Sequence, residues 1–144
     1  MRATSRQRRA FTLIELMIVI IILAVLALII IPRMVGAGRK ARESSLRSQL
    51  QELRNAIGKF EADCGDAPAR LDDIMHRPAE GSIGGSGATI DVASWDGPYL
   101  ESPDRELPKD PFTMDADWNY TPASGHVQSS STLTALNGQA YSSW

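Results

Sequence analysis

Arg8-Arg9-Ala10-Phe11-Thr12-Leu13-Ile14-Glu15-Leu16-Met17 opens the stretch that decides the fold of this 144-residue chain, and an almost unbroken apolar run continues from it to Ile31. Glu15 is the only charged residue between Arg9 and Arg33. Phe11–Ile31 holds 21 residues. As a helix it reaches roughly 31 Å at about 1.5 Å per residue, enough to cross a bilayer's hydrocarbon core. An ionisable group in such a helix costs roughly 2.5–3.5 kcal/mol at the bilayer centre and less near an interface. Glu15 therefore either snorkels at an interface or has a partner.

A secretory signal has a shorter apolar region followed by a small-x-small cleavage site. Here Pro32-Arg33 follows instead, so the run is expected to stay with the mature protein. Arg2, Arg6, Arg8 and Arg9 precede it and place the N-terminus on the cytoplasmic side.

The basic leader, small Ala10, Phe11-Thr12-Leu13-Ile14-Glu15-Leu16, the long apolar run and Pro32 together resemble the signal of type IV pilins and type II secretion pseudopilins. The resemblance implies that a prepilin peptidase cuts between Ala10 and Phe11 and methylates the new amine. Most members carry Gly where Ala10 stands. Cleavage would leave a free amine on Phe11, four residues from the Glu15 carboxylate. In a stacked filament the carboxylate of one subunit can meet the amine of its neighbour, because a buried charge is tolerated far better paired than alone.

The leader holds four of the fifteen basic residues and no acid, so the mature side chains carry eleven bases against seventeen acids, a formal −6. That argues against a nucleic-acid binder, which needs a basic stripe. Cys64 is the single cysteine, so no internal disulfide can form. Many type IV pilins close a C-terminal loop with a cysteine pair, whereas pseudopilins commonly lack it. Cys64 reads as a small helix-end residue.

Beyond Pro32 the helical pattern resumes: Leu46, Leu50, Leu53, Ile57 and Phe60 recur at alternating spacings of four and three, one apolar stripe. Arg42, Gln49, Glu52, Lys59 and Glu61 mark the opposite face. Gly65 suits a C-cap and Pro68 opposes continuation, which predicts one long helix from Phe11 to about Asp63. Pro32, Gly36 and Gly38 weaken it, either as a kink or as a segment able to unwind in a filament. Arg33, Arg39, Lys40 and Arg42 cluster there, facing headgroups, acidic surface on a neighbour, or solvent.

Arg70–Met75 predicts a short helical turn with Leu71, Ile74 and Met75 inward. Arg77–Ala88, rich in Gly and Ser, predicts a mobile loop. Five short strands are expected at Thr89–Ala93, Pro98–Glu101, Trp118–Thr121, Val127–Ser130 and Thr132–Leu136, forming a small antiparallel sheet on the helix stripe. Trp95, Tyr99, Phe112, Trp118 and Tyr120 are expected in its packing.

Gly97-Pro98-Tyr99-Leu100, Leu107-Pro108-Lys109-Asp110-Pro111-Phe112 and Trp118-Asn119-Tyr120 are similar to the major pseudopilin of type II secretion. Members of that family usually bind calcium in an acidic loop after these strands. The corresponding 121–131 stretch here has no acid. Asp110, Asp115 and Asp117 are the nearest candidates for a cation that takes six to eight oxygens; no other cofactor is implied.

No enzyme signature emerges. Gly84-Gly85-Ser86-Gly87-Ala88 lacks the last Gly of a G-x-S-x-G elbow, and neither His76 nor His126 has a metal-ligand partner at helical spacing.

The expected fold is α+β and type IV pilin-like: a long N-terminal helix, half transmembrane and half amphipathic, packed on a small antiparallel sheet. The expected organisation is a cleaved leader at 1–10, an assembly helix at 11–32, an amphipathic half at 33–64 and a head at 65–144. The resemblance implies a repeated subunit of a type II secretion pseudopilus. It sits in the bacterial inner membrane as a single-pass protein, N-terminus cytoplasmic and head periplasmic. Its partners are other copies in a helical homopolymer, the prepilin peptidase, the inner-membrane assembly platform and minor pseudopilins. Alternatives are a surface type IV pilin, a minor tip subunit, or an anchored cargo-binding module using the Gly-Ser loop or Tyr141–Trp144.

Overall fold

The computed structural model describes the backbone of residues 12–144 and the side chains of 12–28 and 36–144. The first helix, α1 (Leu13–Cys64), runs for 52 residues. Thr12 starts it: its Oγ1 accepts from the Glu15 N–H at 3.3 Å, one of the otherwise unpaired donors of a helix start. Thr12-Leu13-Ile14-Glu15 is thus the sequence of a capping box, and Glu15 lies in the first turn, where the helix dipole favours a carboxylate. Gly65 ends the helix in the left-handed region, at φ +86, with its N–H bonded to Glu61 O at 2.9 Å. The backbone stays helical through Pro32, Gly36 and Gly38.

The chain divides into two compact units, Met1–Arg39 and Lys40–Trp144. In the second, Leu46, Leu50, Leu53, Ile57, Phe60 and Cys64 form the helix side of the core. Against them pack Leu71, Ile74, Met75, Ile90, Val92, Leu100, Trp118, Val127, Ala135 and Tyr141. Burying one such Leu or Phe contributes roughly 1.5–3 kcal/mol, so the regular spacing of the stripe is what holds the head to α1. Arg42, Glu52, Lys59 and Glu61 are exposed as expected; Gln49 is half-buried.

The predicted turn is a 3-10 helix at Leu71–Ile74, with Leu71, Ile74 and Met75 all buried. The sheet is smaller than expected. Among the described residues only β1 (Asn119–Thr121) and β2 (His126–Gln128) pair as strands, antiparallel, with Tyr120 opposite Val127. Elsewhere local hydrogen bonds displace the ladder. Asp91 accepts from Ala93 N at 3.1 Å and makes Val92–Ser94 a 3-10 turn, the local competition that short polar side chains offer to strands. Pro98 has no N–H to give, and 98–101 forms no strand. Thr132–Leu136 contributes a single bridge, Thr134 to Ala140.

The Gly-Ser segment is pinned rather than loose. Ser86 donates through N and Oγ to Asp66 Oδ2, at 3.0 and 2.6 Å, and Gly85 N–H bonds Ala67 O at 2.8 Å. A Cβ on Gly85 would lie 2.0 Å from the Pro122 carbonyl oxygen, a backbone atom that cannot swing away. Gly85→Ala is expected to destabilise the head by about 2–3 kcal/mol. Gly58→Ala, on α1 with nothing within 4 Å of the new carbon, is expected to stabilise it by roughly 0.5–1 kcal/mol. Thermal melting of the two variants checks the contrast.

Candidate functional site

Two features stand out: an apolar helix surface in the first unit and two buried carboxylates in the second.

Thirteen large apolar side chains between Leu13 and Leu28 are exposed, from Leu13 at 82% to Val19 at 44%. A face this apolar all round requires lipid or protein cover. Glu15 is exposed among them. Among the described residues no helix is long and apolar enough to cross a membrane. The described side chains of the run, 12–28, number 17, fewer than the roughly 20 a span requires; the sequence of the run extends beyond them at both ends. Ala10 and Phe11 lie outside the described residues, as does the side chain of Pro32.

In the head, Asp110 is fully buried. Its Oδ1 accepts from Phe112 N at 2.7 Å and its Oδ2 from Ser129 Oγ, whose oxygen accepts in turn from Ser131 N. Trp118 Nε1 donates to Pro108 O at 2.8 Å, and Phe112 stacks on Tyr141 at 4.1 Å. The Leu107–Phe112 motif is therefore a knot joining β1, the 129–131 segment and the C-terminus. Gly97 has the same packing logic: a Cβ there would lie 2.5 Å from the Trp95 ring, which packs edge-on against Tyr99.

Asp115 and Asp117 are exposed, and among the described residues no group of three His, Cys, Asp or Glu side chains converges on a metal position. Asp117 accepts from Thr113 Oγ1 at 2.7 Å and Ser130 Oγ at 2.8 Å. Asp110 and Asp117 are thus each engaged by internal hydroxyl donors. Adding calcium to the protein is expected to leave its thermal transition unmoved; a stoichiometric site by calorimetry would contradict this.

Hydroxyl donors, first Thr113 and then Ser130, hold the Asp117 carboxyl below its ordinary range, and the Ser86 hydroxyl does the same for Asp66. A carboxyl lowered by folding favours the folded head above its unfolded value, a contribution lost as pH falls below it. Burial raises the Cys64 thiol above its ordinary range. Burial likewise pushes Tyr120 up to about 12, its hydroxyl donating to Pro68 O at 2.7 Å.

The second buried carboxylate, Glu43, had no signal in the sequence beyond its place one turn before Leu46. It accepts from Tyr141 Oη at 2.8 Å and from Leu136 N at 2.7 Å. Tyr141 is fully buried and cannot serve as a cargo contact. Trp144 packs edge-on against it at 5.0 Å. The C-terminal segment is thus clamped to the helix.

The helix start and this head architecture match two families. Residues 5–31 match the prokaryotic N-terminal methylation motif, and residues 33–135 match the type II secretion system protein G family. The chain belongs to the type II secretion system protein G family. Its relatives include type II secretion system core protein G of Xanthomonas campestris pv. campestris, 28% identical over 83% of this chain and 71% of the relative. That of Aeromonas hydrophila is 30% identical over 75% and 70%, and that of Escherichia coli K12 is 41% identical over 54% and 55%. No solved structure matches. Membership accords with the α+β fold, a long helix against a small antiparallel sheet.

Proposed function

We propose that this protein is the repeated structural subunit of a type II secretion pseudopilus, a membrane-anchored subunit that assembles into a periplasmic fibre. The observation that carries this is the family match over 33–135 joined to an N-terminal methylation motif on a helix whose apolar surface is exposed all round. A subunit of this kind is structural rather than catalytic. Its helix sits in the inner membrane, N-terminus cytoplasmic and head periplasmic. The leader 1–10 is removed between Ala10 and Phe11 by the prepilin peptidase, and the Phe11 amine is methylated. Subunits then exchange lipid contacts for helix contacts through 11–32, with Pro32 at the end of that segment, while 33–64 carries the head at 65–144. Packing between helices of equal apolarity gives little register, so a charged pair must supply it. Glu15 of one copy meeting the amine of the next is that pair. The inner-membrane platform and minor pseudopilins complete the assembly.

Mass spectrometry of the membrane-extracted protein tests the reading. The chain should begin at Phe11 and weigh about 14 Da more than the unmodified sequence, one methyl group. A chain retaining Met1 in cells with an active prepilin peptidase refutes it.

A further inference from the structure

The buried stripe of α1 has two flanks, and they differ in charge. On one, Arg47 and Arg54 sit two turns apart beside Leu50 and, with Trp144, line a groove of about 380 Å³. The Arg47 guanidinium lies 4.3 Å from the centre of the Trp144 ring. Arg54 donates one Nη to the Val127 carbonyl at 3.1 Å, while its Nε is buried with no hydrogen-bond partner. Neither arginine forms an ion pair among the described residues. A guanidinium's planar fork fits a carboxylate, and the exposed Arg47 guanidinium is the one an incoming chain can reach.

The other flank is acidic. Asp63, Asp96 and Glu101 surround Lys59 beside Tyr99. The adjoining turn is exposed and adds Asp104 and Glu106 to Glu101, against Arg105 alone.

We propose that the Arg47–Arg54–Trp144 groove of one copy receives the acidic 101–106 turn of the next copy. This rests on the fibre reading above. An open helical stack joins two different faces of the same chain, and these two are opposite in charge and flank the same helix on opposite sides. Trp144 holds Arg47 by its ring face, so the charge is already in place when the acidic turn arrives.

The test is chemical cross-linking of the full-length chain in secreting cells, reading multimers longer than a dimer. Arg47→Glu is expected to lower them roughly tenfold, and so is Glu101→Lys with Glu106→Lys; combining all three should restore them to within about twofold. The combined variant guards against misfolding, since charges on the far flank cannot repair a damaged groove. Full multimers from Arg47→Glu, or no recovery in the combination, overturn the proposal. Loss of Arg47→Glu from the membrane fraction with multimers intact also overturns it, in favour of a lipid-headgroup site. A wild-type chain that gives no multimers overturns the fibre reading instead.

Discussion

Glu15→Ala is expected to leave the protein in the membrane and abolish fibre assembly. The substitution removes the only charge between Arg9 and Arg33, so the helix becomes more soluble in lipid, by up to roughly 2.5–3.5 kcal/mol. It also removes a first-turn carboxylate, which weakens the helix start by only about 0.3–1 kcal/mol. Thr12 still caps the Glu15 position through the backbone N–H. Neither effect can eject the helix or unfold the head. Assembly is different. Each stacked copy would bury a neighbour's terminal ammonium without its carboxylate, at a cost of about 3–5 kcal/mol per junction, repeated at every subunit. Membrane fractionation and electron microscopy of sheared fibres separate the two outcomes. Glu15→Gln tests the same point while preserving shape. Normal fibres from either variant refute the pairing and return Glu15 to an interfacial carboxylate.

The second large effect belongs to the head. Glu43→Ala is expected to lower its stability by about 2–4 kcal/mol, because Leu136 N–H and the buried Tyr141 hydroxyl both lose their acceptor. For a unit of this size that is a fall in Tm of about 10 °C or more. Glu43→Gln keeps an acceptor oxygen and should lose less than half as much. The loosened C-terminus would carry Trp144 away from Tyr141 and Arg47, so tryptophan fluorescence should report the change before global unfolding. A Tm within about 2 °C of wild type for Glu43→Ala would show that the clamp contributes little.

Much of this molecule follows from periodicity. Leu46, Leu50, Leu53, Ile57 and Phe60 had to share one face of a helix, and all five are buried. Gly65 had to end that helix, because glycine takes the left-handed conformation without a Cβ clash. The 71–74 turn was legible for the same reason. The extra strands were not, because segments of three or four residues carry too little pattern to outweigh an Asx turn at Asp91 or a missing donor at Pro98. Glycine content suggested a mobile 77–88 segment. Gly84 and Gly85 are instead packed against Asp66 and Pro122, a fit that composition cannot express.

By itself, then, the amino-acid order determined the long helix, its apolar and amphipathic halves, the lone Glu15 in the first turn and the inward stripe. All of these depend on residues a few positions apart. Only the tertiary structure decided that Glu43 meets Tyr141 across 98 positions, that Asp110 binds Ser129, and that Arg47 and Arg54 share a groove with Trp144. Those contacts join residues far apart in the chain, and folding alone brings them next to one another.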